Sequence, residues 1–349
     1  MVEWKKLGDV ANLVRGKVIS KDYIRDNEGD YPVYSSQTAN DGVLGCINSF
    51  MFDGDYLTWT TDGAYAGTVF RRKGKFNITN VCGLIDIKEA SLNQDFLYYW
   101  LDLTAKDYVL EGMGNPKLMS NVASNIKIPF LPLMQQNRIV GILDTFTASI
   151  DNLKEQIALR RKQYEYYRDQ LLDLEGKEGV EIKKLGEVCK IERGVRVVKK
   201  DLQEEGVIPV YQNSLIPLGY FEKSNYPENT TFVICAGAAG EIGYSKVAFW
   251  AADDCTCIVC PTSICSRYIY YHLMVKQHSL KTQVRKASVP RLSKDVIAKQ
   301  HVFIPSLQEQ QRIVNILDTF EASIQNLEAQ LAQREKQYEY YRNKLLTFE

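Results

Sequence analysis

The heptapeptide KQYEYYR occurs twice in this chain, at residues 162–168 and again at residues 336–342. Aligned at an offset of 174 residues, segments 135–175 and 309–349 are identical at 27 of 41 positions. Weaker matches precede each copy, such as KKLGDVANLVRG with KKLGEVCKIERG and FLYYWL with YIYYHL. A repeat of this length predicts a duplicated pair of domains rather than a solenoid of short units.

The two closely matched segments are predicted to be long helices, because apolar residues recur at steps of three and four along both. From Phe146 onward the steps hold a heptad register that is interrupted only at Arg160 and at its copy Arg334. Two nearly identical apolar seams predict that the helices pack against each other as an antiparallel coiled coil. The predicted packing residues are Phe146, Ile150, Leu153, Ile157, Tyr164, Tyr167, Leu171, Phe320, Ile324, Leu327, Leu331, Tyr338, Tyr341 and Leu345.

The repeated tyrosines divide into two groups. Four of them lie on the seam and are expected to pack there, with each hydroxyl at the rim: Tyr164, Tyr167, Tyr338 and Tyr341. Tyr166 and Tyr340 lie off the seam and could instead face another subunit.

The segments before each helix are predicted to be strand-rich globular domains. Short apolar runs alternate with turn signals such as NDG, DGD, TDGAYAG and CAGAAGEIG. The predicted fold class is α+β: two mixed α/β domains separated by two long helices, in a pseudo-two-fold internal repeat. We expect globular domains at residues 1–133 and 177–307, and helices at residues 134–176 and 308–349.

Composition restricts the class of protein. Lys plus Arg and Asp plus Glu both number 43, so the chain is not a uniformly basic nucleic-acid binder. Residues 276–299 nevertheless hold seven Lys or Arg against Asp295 alone, which allows a local basic face. No apolar run approaches the roughly 18–20 residues that span a bilayer, and the eight cysteines are scattered. We expect a cytoplasmic protein with no membrane contact.

Motifs for catalysis are missing. The sequence has no GxxxxGK[ST] loop, no GxGxxG after a strand, no HExxH and no methyltransferase-type Asp/Asn-Pro-Pro-Tyr/Phe. The run CTCIVC lies in a strand-like apolar segment, where buried thiols are favoured over a zinc site. We therefore predict no catalytic residue and no metal. An enzyme would require the cysteine cluster to carry metal.

The order of these parts resembles the specificity subunit of type I restriction–modification systems. Four marks carry the resemblance, each present twice: the opening WKKLGDVANLVRGK, the turn GAYAGTV, the aromatic FLYYWL, and IPFLPLMQQNRIVGILD leading into the helix. Their second copies are IKKLGEVCKIERGV, AGAAGEIG, YIYYHL and FIPSLQEQQRIVNILD. The resemblance covers essentially the whole chain.

The resemblance implies that the globular domains are target recognition domains, each reading one half of a bipartite site in double-stranded DNA. The helices would set the unread spacer, and two modification (methyltransferase) subunits would dock on the assembly. It also implies that this chain binds no cofactor: S-adenosylmethionine, ATP and Mg would lie on partner subunits, which can include restriction subunits. We expect the chain alone to bind DNA weakly and in a salt-sensitive manner.

Phosphate contacts require cations, and base edges require amides, hydroxyls or arginines. The predicted DNA-binding residues are Arg15, Lys17, Lys21, Tyr34, Ser35, Ser36, Gln37, Arg71, Arg72, Lys73, Asn115, Lys117, Arg193, Arg196, Lys199, Lys200, Tyr211, Gln212, Asn213, Lys286, Ser288 and Arg291. Each could instead belong to a solvated loop. Residues 71–75 form either a phosphate-binding patch or an ordinary hairpin tip.

Two other functions remain open. The chain could serve a system in which methyltransferase and nuclease are fused in one partner. It could also be a coiled-coil adaptor that binds proteins, although that hypothesis does not explain why the helices stay nearly identical while the globular domains diverge.

Overall fold

The structure is a computed structural model that describes residues 2–111 and 114–348. The chain forms two compact units, Met1–Asn152 with Leu331–Glu349, and Leu153–Gln330. Each unit therefore combines one globular domain with the start of the helix that follows it and the end of the other helix.

The first globular domain is built mainly of strands. Its elements are β1 (Glu3–Lys6), α1 (Leu7–Val10), β2 (Ala11–Arg15), α2 (Lys21–Asp26), β3 (Glu28–Tyr34), β4 (Val43–Ile47), β5 (Phe52–Thr60), β6 (Val69–Ile78), β7 (Cys82–Ile87), α3 (Gln94–Thr104), α4 (Ser120–Ala123) and β8 (Lys127–Phe130), with 3-10 turns at Ala39–Gly42 and Ala105–Tyr108. Six strands form one sheet in the order β2-β7-β5-β6-β3-β4, and β1 pairs with β8.

The second globular domain repeats this order of elements. It contains β9 (Glu181–Lys184), α6 (Leu185–Val188), β10 (Lys190–Arg193), β11 (Ile208–Tyr211), β12 (Gly219–Phe221), β13 (Thr230–Ile234), β14 (Ile242–Ser245), β15 (Trp250–Ala251), β16 (Cys255–Val259), α7 (Ser266–Thr282), α8 (Lys294–Ala298) and β17 (His301–Ile304), with a 3-10 turn at Lys199–Asp201. Its sheets have the orders β10-β16-β13-β14, β12-β11-β15 and β17-β9.

The two domains differ in one long strand. In the first domain β6 pairs with β5 along most of its length and then with β3 in parallel, which joins all six strands. In the second domain the corresponding strand is divided into β14, which pairs with β13, and β15, which pairs with β11. The second domain therefore has two sheets where the first has one.

The long helices are α5 (Leu133–Leu172) and α9 (Leu307–Leu345). Their starts lie one residue before the predicted positions, directly after Pro132 and two residues after Pro305. The end of α5 lies four residues before the predicted one, and Gly176 beyond it has a φ of +72°, a conformation that glycine adopts without strain. In the part of the chain that the structure describes, no helix is long and apolar enough to cross a membrane.

Each hydrophobic core includes residues from both long helices. In the first unit, Leu143 of α5 is buried with Phe96 of α3, and Leu345 of α9 packs against them. In the second, Leu317 of α9 and Leu172 of α5 are buried with Ile269 of α7. The apolar faces of the helices are thus divided between helix–helix packing and packing on the globular cores.

Candidate nucleic-acid interface

Three predicted segments of the second domain converge at one end of its larger sheet. The Ala238 N–H donates to the Asn213 carbonyl at 2.9 Å, which joins the 211–214 loop to the CAGAAG turn. Ala236 of that turn pairs with Arg291 in an antiparallel bridge. The Arg285 N–H donates to the Arg291 carbonyl at 2.8 Å and closes the 285–291 loop. Residues far apart in sequence therefore form one loop cluster.

A small basic cavity lies beside this loop cluster. Its volume is about 160 Å³, and its lining includes Arg193, Arg291 and Lys294 together with Asp253 and Asp254. The Arg193 Nε donates to the Asp253 carbonyl at 2.6 Å, which fixes that guanidinium at the end of β10. Cations from two separate segments thus meet beside the loops.

Two of the equivalent segments of the first domain also meet. The Gly63 N–H donates to the Pro116 carbonyl at 3.0 Å, so the GAYAG turn meets the loop that contains Asn115 and Lys117. Lys117 lies 3.7 Å from the Asp62 carboxylate. In each domain, therefore, the Gly-rich turn contacts the later loop.

The glycine that follows the first long-sheet strand of each domain permits a close approach. A Cβ on Gly16 would lie 2.2 Å from the Ile78 carbonyl oxygen, and a Cβ on Gly194 would lie 2.2 Å from that of Ala252. Any larger residue would push the chain away from the neighbouring strand. These glycines bring Lys17 and Val195 to the same end of the sheet as the loops.

Most of the predicted contact residues are exposed. The exposed set consists of Arg15, Lys17, Lys21, Arg71, Lys73, Asn115, Lys117, Arg193, Arg196, Lys199, Lys200, Asn213, Lys286, Ser288 and Arg291.

The residues predicted from YSSQT and YQN are half-buried: Tyr34, Ser35, Ser36, Gln37, Tyr211 and Gln212. The Tyr34 ring packs against Phe76 at 5.6 Å, and the Tyr211 ring packs against Phe232 at 4.8 Å. The Gln37 side chain donates to the Val43 carbonyl within its own loop. The two tyrosines therefore anchor the loops that follow them.

The alternative for residues 71–75, an ordinary hairpin tip, is wrong, because these residues lie inside β6. The predicted phosphate-binding patch is contradicted at Arg72. Arg72 is only 3% exposed. Its guanidinium donates to the Asp41 carboxylate at 2.7 Å and to the Thr58 hydroxyl at 3.1 Å. Because these internal groups occupy the guanidinium, Arg72 cannot reach a phosphate. Arg71 is likewise held by internal carboxylates, whereas Lys73 remains an exposed cation.

The long helices run in opposite directions within each unit. In the first unit the Phe146 ring, near the start of α5, stacks on Tyr341, near the end of α9, with centroids 5.3 Å apart. In the second unit Phe320, near the start of α9, stacks on Tyr167, near the end of α5, at 5.5 Å. The two pairs are equivalent at the offset of 174, so the predicted antiparallel coiled coil is confirmed.

The arginines that interrupt the heptad have an aromatic partner. The Arg334 guanidinium lies 5.7 Å from the Phe146 ring centroid, and that of Arg160 lies 5.9 Å from the Phe320 ring. A guanidinium over an aromatic face is stabilised by the ring quadrupole. This contact accounts for a charged residue at a seam position in both copies.

The other predicted packing residues differ in burial. Ile150 and Ile157 are buried. The rest are half-buried or, for Tyr167 and Tyr341, partly exposed: Leu153, Tyr164, Leu171, Ile324, Leu327, Leu331, Tyr338 and Leu345. Tyr164 and Leu171 also pack on the second core, and Tyr338 and Leu345 on the first.

The cysteine run lies in the core of the second domain. Cys255 and Cys257 are both fully buried on β16, where they contact the cluster around Phe232. Burial raises the pKa of both thiols, so they stay protonated at neutral pH. Among residues 2–111 and 114–348, no three His, Cys, Asp or Glu side chains are grouped so as to hold a metal ion.

Comparison with known proteins decides the family. The family model described as "Type I restriction modification DNA specificity domain" matches this chain twice, at residues 1–160 and 177–335. The chain belongs to this family. It is accordingly a recognition chain of a type I restriction–modification system and not an enzyme.

Relatives and solved structures agree with this assignment. A chain of Mycoplasma pneumoniae named as the type I specificity subunit S.MpnORF507P is 32% identical over 353 residues, which cover 97% of this chain and 96% of that one. The "Type I restriction enzyme MpnII specificity subunit" of the same organism is 42% identical over 169 residues, 47% of this chain and 51% of that one. In fold, the chain is similar to the crystal structure of the type I S subunit from M. genitalium, with a TM-score of 0.75 at 18% identity over 100% and 97% of the two chains.

Sequence reasoning missed two pairs of residues that join each domain to its helix. Gln136 and Gln310 are fully buried at the starts of α5 and α9. Gln136 accepts the Asn93 N–H at 2.7 Å, and Gln310 accepts the Cys265 N–H at 2.9 Å. Their identity at the offset of 174, in otherwise exposed first turns, was the available signal.

The second missed pair consists of Asp144 and Asp318. Asp144 accepts hydrogen bonds from Tyr99 at 2.6 Å and Arg71 at 3.3 Å. Asp318 accepts hydrogen bonds from Tyr271 at 2.5 Å and Arg267 at 2.8 Å. Burial together with the bond to Asp318 raises the pKa of Tyr271, so its hydroxyl remains a donor.

Proposed function

We propose that each globular domain of this specificity chain reads one half of a bipartite DNA site, and that the helix pair sets the spacer between the halves. The main support is that the Gly-rich turn meets the later loop in both domains, while the residues on these segments differ. Loops on a repeated framework that carry different amides, hydroxyls and cations are suited to reading different bases. Equivalent antiparallel packing of the helices within each unit supports two readers that are held on the helices by the same contacts.

Within each loop cluster, we assign base reading to residues on the converging loops. Asn213 and Arg291 are exposed on joined segments of the second domain, and Lys117 is the counterpart of Arg291 in the first domain, where exposed Asn115 lies on the same loop. Asn can form two hydrogen bonds to adenine, and Arg can form two to guanine. Exposed lysines outside the turns, such as Lys199, are assigned to phosphates, which give affinity without sequence information.

We further propose that two modification subunits dock on two equivalent apolar grooves of the helices. One groove, of about 410 Å³, is lined by Ile142 and Phe146 with Arg334. The other, of about 300 Å³, is lined by Ile316 and Phe320 with Arg160. All three residues of each groove match at the offset of 174, so the two sites offer the same chemistry.

Exposed tyrosines continue each groove outward. Tyr166 is 62% exposed and packs edge-on against Tyr167 at 5.3 Å, while Tyr340 is 60% exposed and packs against Tyr341 at 5.2 Å. Exposed aromatic clusters of this kind are enriched in interfaces between proteins. S-adenosylmethionine, ATP and Mg are assigned to partner subunits, including any restriction subunits that join.

Loop exchange tests the reading of half-sites. Residues 211–214 and 288–291 would be replaced together by loops from a relative of different specificity, in the full chain expressed with its modification subunit. Methylation-aware genome sequencing should show one half-site changed and the other retained. Lys199→Ala serves as the control and should reduce methylation at all sites alike. An unaltered motif in the loop-exchanged chain would contradict the assignment.

Stoichiometry tests the docking sites. Native mass spectrometry should find two modification subunits on the unchanged chain, one on Tyr166→Ala and one on Tyr340→Ala. Glu155→Ala is a matched control on the same helix, because the equivalent residue of the other copy is already Ala329. Two modification subunits retained by the double tyrosine variant would exclude these sites.

A further inference from the structure

Each globular domain contributes an arginine that binds an aspartate of the long helix that follows it. Arg71 lies 3.3 Å from the Asp144 carboxylate of α5, and Arg267 lies 2.8 Å from the Asp318 carboxylate of α9. The two aspartates are equivalent at the offset of 174. Each also accepts a hydrogen bond from the equivalent tyrosine of the domain. We call each of these groups an arginine clamp.

The two arginines come from different elements. Arg71 lies on β6, where it is paired with Leu57, whereas Arg267 lies in the first turn of α7. In the second domain the residue equivalent to Arg71 is Tyr244, which is paired with Thr231 on β13. The strand position that holds Arg71 in the first domain holds a tyrosine in the second. The arginine–aspartate interaction is nevertheless present in both domains.

The first domain has an acidic residue where the second has its arginine. Asn93 and Cys265 both donate their backbone N–H to the equivalent buried glutamines, which aligns α3 with α7. This alignment matches Asp95 with Arg267. Asp95 lies 2.7 Å from Arg71 and supplies a second carboxylate to the first clamp.

The second clamp obtains its second carboxylate from the long helix. Glu321 contacts the Arg267 guanidinium, and the equivalent residue of the first copy is Thr147. Equivalent tyrosines flank both guanidinium groups: Tyr98 and Tyr99 in the first domain, and Tyr270 and Tyr271 in the second. Each clamp thus holds a planar guanidinium between two carboxylates and an aromatic pair.

We propose that the arginine clamps are positioning devices that fix the orientation of each domain on its helix and thereby restrict the site to one spacer length. This inference rests on the proposed function, in which the domains read the two half-sites. The apolar contacts around Leu143 and Leu317 are not directional, whereas a guanidinium held by two carboxylates fixes an angle. Retention of the clamp with exchanged residues indicates that its geometry matters.

The second domain supplies the variants for the test. Arg71→Tyr introduces the residue of the second domain and removes the first clamp. The triple variant Arg71→Tyr, Asp95→Arg, Thr147→Glu rebuilds the first clamp in the form that the second domain uses. Each full chain would be expressed with its modification subunit, and methylated sites would be mapped by genome sequencing.

The single variant should keep both half-site sequences. Its methylation of sites whose spacer is one base pair longer or shorter should rise about tenfold. The triple variant should restore the single spacer length. Asp144→Asn, a milder change, provides the same measurement if Arg71→Tyr does not fold.

Three results would overturn the inference. One is an unchanged spacer distribution in both Arg71→Tyr and Asp144→Asn while the chain stays folded. A changed half-site sequence would mean that Arg71 acts on base reading instead. A motif of the unchanged chain that is not bipartite would reject the proposed function and, with it, this inference.

Discussion

The two globular domains share their contacts with the long helices but differ at the loop clusters. Gln136 and Gln310 make the same hydrogen bonds to their domains, and Asp144 and Asp318 accept the same pair of donor types. The loop clusters, in contrast, differ in residues and in strand structure, since β6 of the first domain corresponds to the separate strands β14 and β15 of the second.

This difference shows where the physical constraint lies. Contacts with the helices are kept even where the residues that make them have changed, as with Arg71 and Arg267. The loops are free to vary because the glycines before them and the tyrosines beneath them, Tyr34 and Tyr211, maintain the framework. The contacts between each domain and the long helices are thus the same in both copies, whereas the loop clusters differ.

The largest expected effects concern the contacts with the long helices that both domains share. Gln136→Met and Gln310→Met should each destabilise the chain by about 4 kcal/mol, because each removes the partner of one buried carbonyl and of a part-buried N–H and carbonyl. Urea denaturation of the full chain measures the loss. Gln135→Met, in the same turn but exposed, is the control and should cost little. A large effect in only one domain would show that the two glutamines do not hold their domains on the helices equally.

The arginines of the two clamps should contribute differently to stability, whereas the two buried glutamines should contribute equally. Arg267→Ala should cost about 3 kcal/mol, because the Arg267 side chain is 9% exposed and its loss leaves Asp318 and Glu321 uncompensated. Arg71→Ala should cost about 1 kcal/mol, because its side chain is 37% exposed and water can replace it. Hydrogen exchange of α3 and α7 resolves the two domains. Equal losses would contradict the difference in burial.

One pH dependence of stability should be specific to the second domain. His272 is buried, and burial, together with nearby Lys276, lowers its pKa to about 3. The equivalent residue of the first domain is Trp100, which does not titrate. Because the unfolded state binds a proton near pH 6.5 and the folded state does not, stability falls as the pH falls below 6.5.

At pH 5 the loss from His272 should reach about 2 kcal/mol relative to pH 7. Urea denaturation at the two pH values, followed by hydrogen exchange of α7, measures it. His272→Phe should remove this part of the pH dependence. A pH dependence that persists unchanged in His272→Phe would assign it to other groups.

The smallest expected effects concern the loop clusters. Arg291→Ala should lower the slope of log affinity against log salt concentration by about one, measured on the complex with the modification subunit. Lys117→Ala, at the equivalent position, should lower it less, because Asp62 already lies 3.7 Å from that ammonium. A larger effect for Lys117 would reverse the order that the ion pair predicts.

The long helices and the double architecture could be predicted from the sequence because they depend on regular spacing. An apolar seam is recognised by its period, and a 174-residue repeat requires equivalent partners. Arg160 and Arg334 interrupt the apolar period. Their contacts with the rings of Phe320 and Phe146 could not be predicted from it.

The fate of individual cations could not be predicted from the sequence. Arg71, Arg72 and Lys73 are consecutive cations, yet the alternation of β6 sends Arg72 inward to Asp41 and leaves Lys73 exposed. The arginine clamps were hidden for another reason. Their arginines do not align in the repeat, so the interaction is shared while the sequence position is not.

The central claim is that each globular domain independently reads one half-site while equivalent contacts hold it on the long helices. It is tested most directly by a chain in which residues 177–307 are replaced by a second copy of the first globular domain, expressed with its modification subunit. Genome-wide methylation mapping should then show an interrupted inverted repeat of the half-site that the first domain reads. A methylated motif that still contains the other half-site, or two copies in direct orientation, would contradict the account.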